Sequence, residues 1–112
     1  MARRYVPERG DLVWLNFTPH AGHEQAGHRP ALVLSPGSYN RVAGLMLCCP
    51  LTTRIKGYPF EVALPGPEGV PAVALADQVK SVDWRARRAQ RAARAPEDAL
   101  QSVLAKAATL LR

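Results

Sequence analysis

A mainly β fold, a small barrel closed by one C-terminal helix, is what this sequence predicts. Three observations predict it. Short apolar runs of strand character recur along most of the chain, prolines and glycines punctuate them, and only the last segment changes to a helical period. Strands gathered first and a single helix last argue for a small barrel or sandwich rather than alternating βαβ units. With 112 residues the chain suits a single domain, 1–112, with the barrel over about 5–94 and the helix over about 96–111.

The elements follow in order. Leu12 to Phe17 forms the first strand, and residues 18–27 form a polar loop carrying Gly22 and Gly27. Ala31 to Leu34 is the second strand, closed by Ser35-Pro36-Gly37. Leu45 to Cys49 is the third, stopped by Pro50, which has no N–H to give a ladder. Phe60 to Leu64 is the fourth, ended by the turn Pro65-Gly66-Pro67-Glu68-Gly69, and Val73 to Ala76 and Val79 to Val82 complete the set. Next come residues 85–94, with five arginines in ten positions. This run reads as a solvated, helix-prone connector or as a patch that tracks phosphates without sequence preference. Finally Leu100, Val103, Leu104, Ala107, Leu110 and Leu111 recur near i, i+3, i+4, i+7. Pro96 suits a first helical turn, with Glu97 and Asp98 at its positive end.

Charge narrows the function. The net charge is +6 and the isoelectric point near 10.0, so the surface concentrates polyanions, of which nucleic acid is the commonest. No apolar stretch approaches the roughly 18 residues of a membrane span, and the N-terminus lacks the apolar core of a secretory signal. Cys48 and Cys49 are neighbours that a strand would point to opposite faces, which argues against a disulfide framework or a thiolate zinc site. A reducing cytoplasm is the simplest compartment.

The chemistry-bearing groups cluster beside two strands. Glu24-Gln25-Ala26-Gly27-His28-Arg29-Pro30 runs straight into the second strand, and Cys49-Pro50-Leu51-Thr52-Thr53 ends the third. Polar groups fixed at strand ends beside loops are a common way for small β domains to build a site. The Arg29 guanidinium is a planar fork of donors that fits a phosphate and stays charged at any working pH, although it could equally pair with Glu24 or Glu61. Thr52 and Thr53 could donate to phosphoryl oxygens or simply end the strand. His20, His23 and His28 with Glu24 match no closed zinc spacing, so no metal and no cofactor is expected. His28 and Glu24 read better as acid/base or orienting groups near Arg29. Lys56 and Lys80 could meet backbone phosphates, Tyr58 and Trp84 could stack on bases, and Trp14, between Val13 and Leu15, reads as core or interface.

Asp11-Leu12-Val13-Trp14, Glu24 to Pro30, Leu34-Ser35-Pro36, Pro50-Leu51-Thr52-Thr53, Lys56 to Val62 and Ala74 to Ser81 together resemble the MazF/PemK family of ribonuclease toxins. The likeness runs in order from about Tyr5 to Arg87. It implies an SH3-like barrel and a sequence-specific endoribonuclease that cuts single-stranded RNA without a metal, leaving 2′,3′-cyclic phosphate and 5′-hydroxyl ends. It further implies that Arg29 and Thr52 are catalytic and that Glu24 affects activity. His28, Thr53, Lys56, Tyr58, Lys80, Trp84 and Arg87 then contact RNA. A homodimer, an acidic MazE-like antitoxin that blocks the RNA site, and operator DNA binding by the toxin–antitoxin complex are implied as well, in a bacterial cytoplasm. The family leads us to expect a final strand where this chain carries its Ala/Arg run, and that composition argues against one. Two other readings share the fold class: a CcdB-like gyrase poison and a non-catalytic SH3-like RNA-binding module. The first acts through a C-terminal Trp-Gly-Ile, whereas this sequence ends Thr109-Leu110-Leu111-Arg112. The second accounts for the charge but not for Arg29 with Thr52.

Overall fold

Alternation along the first strand sorts its side chains to two faces, and both faces are buried. Leu12 joins Leu32, Cys49, Leu51, Val62 and Ala74 in one cluster, capped by Leu100 and Val103 of the C-terminal helix. Val13 and Leu15 join Ala31, Val33, Met46, Cys48, Val82 and Trp84 in the other, with Tyr5 and Val6 packed against it. Burial on both sides is why these strands read as nearly continuous apolar runs.

The computed structural model describes residues 5–16 and 28–112. Its elements are β1 (Asp11–Asn16), β2 (His28–Val33), α1 (Gly37–Ala43), β3 (Leu45–Thr52), β4 (Glu61–Pro65), a 3-10 turn (Pro67–Gly69), β5 (Pro71–Leu75), β6 (Lys80–Asp83), β7 (Gln90–Arg94) and α2 (Glu97–Thr109). The strands pair antiparallel in the order β4-β5-β3-β2-β1-β7, and β6 also pairs with β3. The expected mainly β fold with a C-terminal helix is therefore what the chain forms, as a curled antiparallel sheet. No helix among the described residues is long and apolar enough to cross a membrane.

Three local expectations are corrected. The third strand does not stop at Pro50. It continues to Thr52, pairing with β6 from Leu45 to Cys48 and with β5 at Leu51 and Thr52. Pro50 falls between the β6-paired and β5-paired parts of β3, in register with Ala31 of β2.

A short helix, α1, follows the Ser35-Pro36-Gly37 turn, over residues for which no element was expected. Pro36 precedes it and Gly44, at φ 72, ends it with its N–H bonded to Asn40 O at 3.0 Å. Its buried Asn40 ties four segments together. Ser35 Oγ donates to Asn40 Oδ1 at 2.6 Å, Asn40 Nδ2 donates to Pro7 O at 2.8 Å and Ser35 O at 3.0 Å, and Trp84 Nε1 donates to Asn40 O at 2.9 Å.

The arginine run is not a helical connector. Gln90–Arg94 is a strand, β7, paired with β1 and carrying an irregularity between Leu12 and Val13. Charge compensates for its poor β composition. The carboxylate of Asp11, 4% exposed, accepts from Arg91 Nε at 3.4 Å, Arg94 Nη1 at 3.3 Å, Glu8 N at 3.1 Å and the Tyr5 hydroxyl. Two of the five arginines are thereby tied to one buried acid.

Candidate active site

Antiparallel pairing brings the start of β2 beside the end of β3. Ala31 pairs with Pro50, and the same register continued two residues further sets Arg29 opposite Thr52. Both side chains line a cavity of about 570 Å³, together with Trp14, His28, Thr53 and Glu68. A second cavity of about 220 Å³ shares Arg29 and Leu51 with it and reaches Gln78 and Lys80. A third, of about 160 Å³, shares Thr52 with the first and Gln78 with the second, and is lined by Arg54, Lys56 and Tyr58. The three cavities adjoin through these shared residues at the ends of β2, β3 and β6, and are together called the trough.

The trough is well braced. Thr52 Oγ1 accepts from Arg54 N at 3.1 Å, which fixes the oxygen and leaves its own proton to donate. The Glu61 carboxylate accepts from Lys56 N at 3.1 Å and from Gly57 N at 2.9 Å, so among the described residues this acid holds a loop rather than neutralising Arg29. Gly57 sits at φ 86, in the left-handed region that a glycine adopts freely. Lys106 Nζ of α2 donates to Pro59 O at 2.7 Å, clasping the same loop from the helix side. Lys56 Nζ stands 5.8 Å from the centre of the Tyr58 ring.

The predicted residues separate clearly. His28, Arg29, Thr52, Thr53, Lys56, Tyr58 and Lys80 all line the trough. Glu24, His20 and His23 lie outside the described residues. Arg87 is half-buried in the turn before β7, where its carbonyl accepts from Asn16 N at 2.8 Å, and it lines none of the three cavities. Trp84 is a correction. It is 4% exposed within the second core cluster, its N–H is committed to Asn40 O, and the Arg85 guanidinium lies 4.6 Å from its ring centre, so no base can stack on it.

Trp14 takes the position by the trough instead. It is half-buried, lines the main cavity, and its ring centroid is 6.2 Å from that of His28. The period-2 rule alone carried this signal, because Val13 and Leu15 turn into the core and Trp14 must face the other way. Gln78 and Glu68 were also missed. Neither residue type announces a role from a turn.

Burial rules out a cysteine nucleophile. It pushes the Cys48 thiol up to about 11, against a partial downward pull from Lys80. It pushes Cys49 up to about 12, aided by Cys48 and Asp77. Neither is a thiolate at neutral pH. Among the described residues no group of three His, Cys, Asp or Glu side chains could hold a metal ion. What the trough offers is a guanidinium at a strand end, hydroxyl donors, two lysines and accessible aromatic rings, a set suited to binding a phosphodiester with its bases splayed out.

A family model described as PemK-like, MazF-like toxin of type II toxin–antitoxin systems matches residues 8–111. The endoribonuclease toxin MazF of Escherichia coli strain K12 is 55% identical over 111 residues, covering 99% of each chain. The Escherichia coli endoribonuclease PemK is 37% identical over 116 residues, covering 97% of this chain and 85% of PemK. Among solved structures, a crystal structure of MazE–MazF (Form-II) from Deinococcus radiodurans superposes with a TM-score of 0.90 at 62% identity, covering 96% of this chain and 97% of that one.

Proposed function

This chain belongs to the family of PemK-like, MazF-like toxins of type II toxin–antitoxin systems, and from that premise we propose that it is an endoribonuclease toxin that cuts single-stranded messenger RNA at a preferred sequence without a metal ion. One observation supports this above the rest: Arg29 and Thr52, arriving from neighbouring strands, line the same cavity.

The reaction that uses these groups is internal transesterification. The ribose 2′-oxygen bonds to the adjacent phosphorus, the bond from phosphorus to the 5′-oxygen breaks, and a 2′,3′-cyclic phosphate and a 5′-hydroxyl result. The 2′-hydroxyl proton leaves to a base and the departing 5′-oxygen receives one. Arg29 balances the negative charge that builds on the phosphoryl oxygens, and Thr52 adds a neutral donor. A guanidinium is too weak an acid to move protons readily, so Glu24, His28 or water carries them. Thr53, Lys56, Tyr58 and Lys80 extend the grip along the strand.

The partners follow from the same surface. An acidic, MazE-like antitoxin would place carboxylates where phosphates bind, beside Arg29, Lys56 and Lys80. The solved relative is a MazE–MazF complex, which supports an antitoxin for this chain. A second copy of the chain suits the groove of about 820 Å³ lined by Tyr39, Leu47, Val79, Leu110 and Leu111, all of them exposed apolar side chains. The whole chain then acts as one toxin domain in the bacterial cytoplasm, and its complex with antitoxin binds operator DNA. Incubation with a single-stranded RNA and with the same sequence as DNA tests the enzyme reading. Discrete RNA fragments and intact DNA are expected, and intact RNA would overturn it.

A further inference from the structure

Among the described residues lining the main cavity, Glu68 is the one acid, and it shares that cavity with the Arg29 clamp. A carboxylate beside a bound phosphodiester repels it, so its useful partners there are hydrogen-bond donors. In single-stranded RNA those donors are the base-edge N–H groups and the ribose 2′-hydroxyls, and only the former differ from one nucleotide to another.

The backbone around Glu68 is as telling as its charge. Glu68 adopts φ 62 and ψ 19, in the left-handed region where a side chain is disfavoured, and Gly69 follows at φ 76. The turn is closed by its own bonds, Gly66 N to Val70 O at 2.7 Å and Gly69 N to Gly66 O at 2.9 Å. A Cβ on Gly66 would lie 3.0 Å from Val70 O, so the backbone packs closely there. A glutamate thus stands at the rim where the backbone would prefer glycine. Glu68 makes no hydrogen bond or ion pair among the described residues, which leaves its acceptor positions open. The same cavity holds the Trp14 and His28 rings, 6.2 Å apart and inclined at 35°, either of which offers a face to a base.

We infer that Glu68 is a specificity-determining residue whose carboxylate reads the Watson–Crick edge of one nucleotide beside the cleaved phosphate, accepting from an exocyclic amino group and rejecting uracil. Adenine, cytosine and guanine each present an amino group. Uracil presents one N–H between two carbonyls, and those carbonyls repel a carboxylate brought to bond it. This inference rests on the ribonuclease reading above.

Digestion of a randomised single-stranded RNA pool by the full-length protein, with the cut ends sequenced, tests it against Glu68→Gln and Glu68→Gly. The glycine variant also relieves the left-handed backbone, so it should fold at least as well. Wild type should deplete uracil at least about tenfold at one position near the cut. Glu68→Gln, whose amide can donate to a carbonyl, should restore uracil there, and Glu68→Gly should lose discrimination at that position alone. Wild-type profiles in both variants would overturn the inference. Loss of all cutting in folded Glu68→Gly would overturn it too, by placing Glu68 in the chemistry itself. A wild-type protein that cuts nothing would overturn the ribonuclease reading and this inference with it.

Discussion

Arg29 and Thr52 line one cavity because β2 and β3 run antiparallel and the Ala31–Pro50 pairing carries the start of one strand to the end of the other. Neither residue needs its role to fold: Arg29 is exposed, and Thr52 is half-buried at a strand end. Their substitution should therefore separate activity from stability. Arg29→Ala and Thr52→Ala should each lower RNA cleavage by about 10²–10³ while the thermal unfolding midpoint holds. Thr53→Ala, which removes an exposed hydroxyl, should cost less. Near wild-type cutting by Arg29→Ala would mean the phosphate clamp lies elsewhere.

The two tryptophans should exchange the roles their sequence settings suggest. Trp84→Ala empties a core position and removes one of the two donors to Asn40 O, so it should destabilise the fold by about 3–5 kcal/mol in urea unfolding. Trp14→Ala should leave stability closer to wild type and weaken RNA binding by about 1–3 kcal/mol through lost stacking. Equal RNA affinity for wild type and Trp14→Ala would remove Trp14 from the site.

Those two residues also show what was legible in the sequence. The strands were, because apolar runs broken by Pro and Gly leave little else for residues 11–83 to form, and the 3.6-residue period of residues 100–111 stands apart from them. Both Arg29 and Thr52 stood out as polar groups at strand ends. Three things were hidden. Trp84 and Trp14 look alike without knowing which face of each strand is enclosed. The strand β7 was masked by alanine and arginine, because what holds it is a buried acid 80 residues away, Asp11 to Arg91. And α1 was overlooked because Ser38, Tyr39 and Asn40 are weak helix formers, although Pro36 before it and Gly44 after it marked both ends.

The buried thiols predict an alkaline limit. Cys48 and Cys49 ionise near 9 when unfolded and near 11 and 12 when folded. Their contribution is thus fully present below pH 9 and drains away as pH rises from 9 through the folded values. Unfolding free energy should decline over that window, and Cys48→Ala/Cys49→Ala should flatten the decline. At pH 8, iodoacetamide should label the native protein far more slowly than the unfolded one. Rapid native labelling would contradict the burial.

Competition should reveal the antitoxin face. A short acidic peptide should displace RNA from the trough, with both affinities falling as salt is raised from 50 to 300 mM, by about the Debye screening expected for exposed charges. Lys56→Ala and Lys80→Ala should weaken both ligands together, since each lysine lines the trough. Peptide and RNA bound at once to one face would contradict a shared site.

The most direct test of the account is cleavage of a defined single-stranded RNA in excess EDTA, with the new ends identified by mass spectrometry. We predict undiminished cutting, 2′,3′-cyclic phosphate on one fragment and a 5′-hydroxyl on the other, and no cutting when the 2′-hydroxyl at the cut site is replaced by hydrogen. Activity abolished by EDTA and restored by a divalent metal, or 5′-phosphate ends, would contradict transesterification by Arg29 and Thr52.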